Sequence, residues 1–93
     1  MPIGMLTLEI YIPDAHSLKD KRQVLRSLKD RLRARFNVAV AELDGQDGLQ
    51  RATVGVVTLS NTAGHLEQSL RTIFEESERV LGRDLVGHEL EML

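Results

Sequence analysis

The chain has no cysteine among its 93 residues, which removes disulfides, cysteine-ligated zinc and thiol nucleophiles at once. Tryptophan is absent too, and the aromatics amount to Tyr11, Phe36 and Phe74, so any core must be aliphatic. No apolar run approaches the roughly 18 residues of a membrane span, and the N-terminus lacks a basic-then-apolar signal pattern. Glycine forms neither G-x-x-x-x-G-K-[ST] nor G-x-G-x-x-G, so no nucleotide fingerprint is present. What is there is a soluble-globular mix, 42% hydrophobic and 28% charged, from which residues 1–93 are expected to build one small domain. The cytoplasm is the expected location.

Charge is distributed unevenly behind a bland net of -2. Between Ser17 and Phe36 lie Lys19, Lys21, Arg22, Arg26, Lys29, Arg31, Arg33 and Arg35, opposed only by Asp20 and Asp30, a net of +6. The remainder sets four basic residues against twelve acidic ones, a net of −8.

Hydrophobic periodicity assigns the elements. Leu6, Leu8, Ile10 and Ile12 alternate with Met5, Thr7, Glu9 and Tyr11, a half-buried strand that Pro13-Asp14 ends. Ser17 offers a helix cap, with Asp20 as the acidic half of a capping box. Leu18, Leu25, Leu28, Leu32 and Phe36 then recur at helical spacing within an arc of roughly 80°. Asn37–Leu43 and Arg51–Leu59 read as two further strands, joined through Asp44-Gly45 and Asp47-Gly48 as a hairpin with a longer loop. Ser60-Asn61-Thr62 supplies cap candidates for a second helix, whose inner face is Leu66, Leu70, Ile73, Phe74, Ser77, Val80 and Leu81, with Gly82 at its end. Asp84–Leu93 alternates again and reads as an edge strand.

The order β-α-β-β-α-β, with right-handed crossovers, predicts an α+β, ferredoxin-like sandwich: two helices on one face of a four-stranded antiparallel sheet. Met5, Thr7, Glu9 and Tyr11 then look outward, joined by small or branched residues such as Ala39, Ala41 and Val57. Both alternating sets of the third strand are fairly apolar, so its outward face stays open at this point. A partly apolar sheet face invites a homodimer, with a merely solvated sheet as the alternative.

The first helix also carries Lys19, Arg22, Arg26, Lys29 and Arg33 at spacings of three and four, which gathers them within roughly 80° beside the apolar stripe. Like charges at that spacing repel by a few tenths of a kcal/mol per pair. A sustained row of one sign is explained if an anion meets it, and a polyphosphate backbone is the common one. The competing reading is a solvated face neutralised by acids elsewhere, Glu89 or Glu91 among them. Sheet-surface RNA binders stack bases on aromatics of the first and third strands, yet Tyr11 is alone here, so phosphate contact rather than base reading is expected.

Other chemistry finds little support. His16, His65 and His88 are scattered, without metal-ligand spacing. Asp14, His16 and Ser17 contain triad letters, but neighbours on one turn do not by themselves make nucleophile-base-orienter geometry. Gly55 inside a strand marks close packing or a bulge. Acylphosphatases share the topology, but their glycine-rich, arginine-ending loop has no counterpart between Ile12 and Ser17. No metal, cofactor or catalytic group is indicated.

His16-Ser17-Leu18-Lys19-Asp20-Lys21-Arg22, then Phe36-Asn37-Val38-Ala39-Val40-Ala41-Glu42-Leu43 and Gln50-Arg51-Ala52, resembles the YlxP-like family of bacterial proteins of unknown function. The resemblance covers nearly the whole chain and weakens after Leu81. It departs at Leu49, where members often carry an aromatic before the Gln-Arg pair. The resemblance implies a ferredoxin-like fold and no known catalytic residue or cofactor. Genes of the family often lie near those for translation initiation and ribosome maturation factors. The expectation is therefore a non-enzymatic accessory protein contacting ribosomal RNA or a pre-ribosomal particle. Lys19, Arg22, Arg26, Lys29 and Arg33 would touch phosphates, with Lys21 and Arg51 flanking. The alternative is a dimeric protein-interaction or small-ligand regulatory module without a nucleic-acid role. A hydrolase centred on His16 is a third reading.

Overall fold

The central strand β1, Ile3–Tyr11, forms because its alternation puts Leu6, Leu8 and Ile10 on one face, where each is buried. In the computed structural model, which describes residues 1–43 and 48–93, helix α1 (Leu18–Arg35) follows it. Strands β2 (Ala39–Glu42) and β3 (Arg51–Leu59), helix α2 (Ala63–Leu81), a short 3-10 turn at Gly82–Asp84 and strand β4 (Leu85–Met92) complete the order. The sheet runs β2-β3-β1-β4 with every pairing antiparallel. Both helices cover one face, where Leu25, Leu28 and Leu32 of α1 and Leu66, Leu70 and Ile73 of α2 meet Leu6, Leu8, Val54 and Val56. The expected sandwich is the one observed.

Register settles the face of β3 that patterning left open. Ala52, Val54 and Val56 point to the helices, while Arg51, Thr53, Gly55, Val57 and Leu59 join Tyr11, Glu9, Thr7, Met5 and Ile3 on the open face. Gly55 marks close packing, since the β1–β3 register runs through it unbroken. A Cβ there would stand 3.1 Å from Met5 Cε and 3.2 Å from Leu43 Cδ2. The open face divides in two. Its β2–β3 side is largely apolar, with Ala39, Ala41, Leu43, Val57 and Leu59 around Met5, and its β4 side carries Glu89 and Glu91, while Glu9 of β1 accepts from Thr53 Oγ1 of β3 at 2.8 Å.

Three details differ from expectation, and part of a fourth lies outside what the structure describes. Leu18 is 52% exposed: it lies about 50° from the centre of the buried arc of α1, which Lys21 occupies in its place. Strand β2 is shorter than Asn37–Leu43, and the Asn37 carbonyl accepts a hydrogen bond from Thr58 Oγ1 at 2.9 Å. A bulge opposite Glu9 and Ile10 breaks the alternation at the start of β4, so Leu85 packs against the core. The turn signals Asp44-Gly45 and Asp47 lie outside the described residues, whereas Gly48 takes φ +91°, a conformation suited to glycine.

Candidate nucleic-acid interface

Helix α1 is held at its start by the residues of two sequence motifs. Ser17 adopts extended dihedrals and its Oγ accepts from Asp20 N at 3.1 Å, while Asp20 Oδ2 accepts from His16 N at 3.0 Å. This is a capping box reaching one residue further back than expected. Gln50 Nε2 donates to the carbonyls of Pro13 (3.1 Å) and Ala15 (3.4 Å), and Gln50 O accepts from Ile12 N at 2.7 Å. Gln50 therefore holds the turn over residues 12–15 that leads from β1 to the start of α1. Ser17 Oγ serves the cap, and among the described residues no hydrogen bond joins it to His16.

The basic row lies along the flank of α1 that faces β2. Arg22, Arg26, Lys29 and Arg33 line an open groove of ≈ 330 Å³, with Leu25 at its floor and Asp30 and Glu42 also on its walls. Lys19, Arg22 and Arg26 border a second depression with Gln23. Among the described residues, Lys19, Arg22, Arg26 and Lys29 form no ion pair or side-chain hydrogen bond. Arg33 differs: its Nη2 donates to Val40 O at 3.0 Å, tying the helix to β2. Glu89 and Glu91 pair with Thr7 and Met5 on the open sheet face, across the sheet from α1. They do not neutralise the row.

Two expected contributors are placed elsewhere. Lys21 is only 5% exposed, and its Nζ donates to Gly48 O at 3.0 Å, so its charge serves the fold rather than the surface. The sequence signal was its spacing: Lys21 stands four, seven and eleven residues before Leu25, Leu28 and Leu32, in the middle of their arc. Arg51 lies over the Tyr11 ring, 5.0 Å from its centroid, on the open face opposite α1. It does not flank the row.

The feature that sequence reasoning missed is Glu76. It is 3% exposed on α2, and its two oxygens meet Arg79 Nη1 at 2.8 Å, Arg31 Nε at 3.3 Å and Arg35 Nη1 at 3.8 Å. The acid that answers the basic helix sits in the seam between the helices and takes the flank of α1 opposite the row. Its place three residues beyond Ile73, beside the apolar stripe of α2, was the available signal. Among the described residues no cluster of His, Asp and Glu is set to hold a metal, and no helix is long and apolar enough to cross a membrane.

Fold and surface together define a ferredoxin-like α+β protein with a basic flank on its first helix. The chain belongs to the DUF503 family of proteins of unknown function, whose sequence pattern matches residues 3–87. It is 36% identical to the uncharacterized protein YlxP of Bacillus subtilis (strain 168), over 87% of this chain and 95% of that protein. Among solved structures, Rv0793 from Mycobacterium tuberculosis aligns with a TM-score of 0.59 at 16% identity, covering 100% of this chain and 93% of that one. A dimeric protein of unknown function and ferredoxin-like fold from Bacteroides fragilis gives 0.56 at 11%, covering 99% and 94%. SnoaB, a cofactor-independent oxygenase from Streptomyces nogalater, also gives 0.56 at 11%, covering 99% and 90%. At such identities the likeness is one of fold, and fold does not carry activity.

Proposed function

We propose that this protein is a non-enzymatic accessory factor that contacts ribosomal RNA or a pre-ribosomal particle through the groove flank of α1. One observation carries the reading. Lys19, Arg22, Arg26 and Lys29 stand in a row without an acidic partner among the described residues, although on the other flank of the same helix Arg31 and Arg35 both meet Glu76. The row, extended to Arg33, spans about 21 Å of helix at 1.5 Å per residue. That is long enough to follow several successive phosphates. No aromatic lines the groove, so contact is to backbone and shape rather than to stacked bases. The choice of ribosomal RNA among polyanions rests on the gene neighbourhood that the YlxP-like resemblance brings.

Co-sedimentation with ribosomal particles across a salt series tests this reading. Log affinity should fall against log salt with a slope of up to about −4 if all five cations meet phosphates. A variant carrying Arg22→Glu, Arg26→Glu and Lys29→Glu, with Arg33 kept because it holds Val40, should lose co-migration while retaining its thermal unfolding transition. Absence of co-migration at low salt, or co-migration indifferent to these changes, counts against it.

A second reading has its own observation. The β2–β3 side of the open face presents Ala39, Ala41, Val57 and Leu59 around Met5, with Leu59 exposed, a surface suited to packing against a second copy. The Bacteroides fragilis neighbour is described as dimeric. Sedimentation equilibrium of the wild type and of Val57→Glu distinguishes the cases: a dimer that the substitution dissociates supports the homodimeric module, and a monomer at all concentrations removes it.

A further inference from the structure

Strand β4 ends the sheet with an unpaired edge of eight residues. Leu93 N donates to Ile3 O at 2.7 Å, and antiparallel alternation then turns the N–H and C=O of His88, Leu90 and Met92 away from β1. Those groups form a ready ladder for another strand.

The two faces flanking this edge differ in chemistry. On the helix side, His88 packs against Phe74 with ring centroids 4.2 Å apart. Leu90 and Met92, 40% and 45% exposed, continue from it into a groove of ≈ 360 Å³ rimmed by Glu67 and Arg71. On the open side, Glu89 and Glu91 project beside Thr7 and Met5, while Glu9 of β1 turns its Oε1 to Thr53 of β3. Arg51, the one Lys or Arg in the described strands, is held over Tyr11 at the far end of β1. The edge is thus apolar on one side and acidic on the other, where Glu89 and Glu91 form no ion pair among the described residues.

We propose that the β4 edge is a docking site for an extended segment of a partner protein, added as a fifth strand. Its side chains alternate, apolar ones entering the groove against Phe74, Leu90 and Met92, and Lys or Arg standing opposite Glu89 and Glu91. The alternation of a strand supplies both faces from one short segment, with main-chain hydrogen bonds giving affinity and alternate side chains giving choice. Opposite charges directly across a strand pair are favourable and like charges unfavourable. A second copy fits poorly for that reason, because another β4 would bring Glu89 and Glu91 of both chains onto one strip. None of this chain's described strands alternates apolar and basic residues. The inference is independent of the row on α1.

The test joins a strand of alternating valine and lysine, as long as β4, to Leu93 through a short Gly/Ser linker, which holds it near the edge at millimolar effective concentration. The control replaces its lysines by glutamate. Amide hydrogen exchange read by NMR at His88, Leu90 and Met92 reports pairing. The lysine strand should slow exchange by about tenfold relative to both the unfused chain and the glutamate strand. In a Glu89→Lys/Glu91→Lys background the preference should reverse. Equal protection by both strands, or by neither, overturns the proposal. So does concentration-dependent protection of these amides in the unfused chain, which would mean that a second copy occupies the edge.

Discussion

The basic side chains of α1 fall into two groups that share a helix and differ in fate. Arg22, Arg26 and Lys29 border the β2 groove and Lys19 the depression next to it, all four unanswered by an ion pair or a side-chain hydrogen bond among the described residues. Lys21, Arg31 and Arg35 are consumed within the fold, the first by Gly48 O and the others by the buried Glu76 carboxylate. Arg33 stands between the groups, lining the groove while its guanidinium holds Val40 O. Counting charges along the helix merges these groups, and only their angle around the axis separates them. Cations turned toward the interior or toward α2 find partners, and those turned toward the open edge of the sheet do not.

That division is broken most directly at Lys21. Lys21→Ala removes a buried aliphatic stem and its bond to Gly48 O, and is expected to lower stability by about 2 kcal/mol in urea unfolding. Lys21→Met keeps the stem and should lose about 1 kcal/mol. Neither should alter the salt slope of polyanion binding by the folded protein. A Lys21→Ala chain of undiminished stability with weakened binding would place this lysine with the row instead.

Glu76→Gln probes the opposite flank. Arg31, Arg35 and Arg79 are each more than half exposed, so water takes up much of their lost interaction, and the stability loss should be about 1 kcal/mol. The freed Arg31 and Arg35 should at the same time strengthen binding to ribosomal particles at low salt. Weaker binding by a folded Glu76→Gln chain would mean that the clamp, and not the row, presents the cations that matter.

These contrasts also mark how far the sequence could be read. Backbone patterning was legible because burial repeats it: Leu6, Leu8 and Ile10 of β1, the Ser17 cap, and Leu66, Leu70 and Ile73 of α2 all follow from local spacing. The row on α1 was legible for the same reason, being a property of one helix. The partners of charges were not. Glu76 meets Arg31 forty-five positions away, and Gly48 meets Lys21 across twenty-seven, contacts created by packing α1 on α2 and on the hairpin. Leu18 and Lys21 show the local limit: hydrophobicity favoured the leucine for the core, while the helix's orientation on the sheet chose the lysine's angle. Arg51 stands within the family's Gln50-Arg51-Ala52 motif, but strand alternation carried it to the face opposite α1.

Within the row itself, Arg26→Ala should leave stability within about 0.5 kcal/mol and reduce the magnitude of the salt slope by about 0.7–0.9, the share of one phosphate contact. Sharing the groove with these cations is Asp30, which separates a local row from a merely cationic surface. Asp30→Asn changes the net charge by one unit inside the groove, whereas Glu75→Gln makes the same change on the exposed surface of α2. Screening confines most of the effect to about 8 Å at physiological salt. If phosphates lie in the groove, Asp30→Asn should tighten binding roughly twofold, in keeping with a few tenths of a kcal/mol for one exposed like-signed neighbour, and Glu75→Gln should leave it unchanged. Equal gains from the two substitutions, measured in the same salt, would mean that overall charge draws the protein to the particle and that the spacing of Lys19, Arg22, Arg26 and Lys29 has no part in the contact.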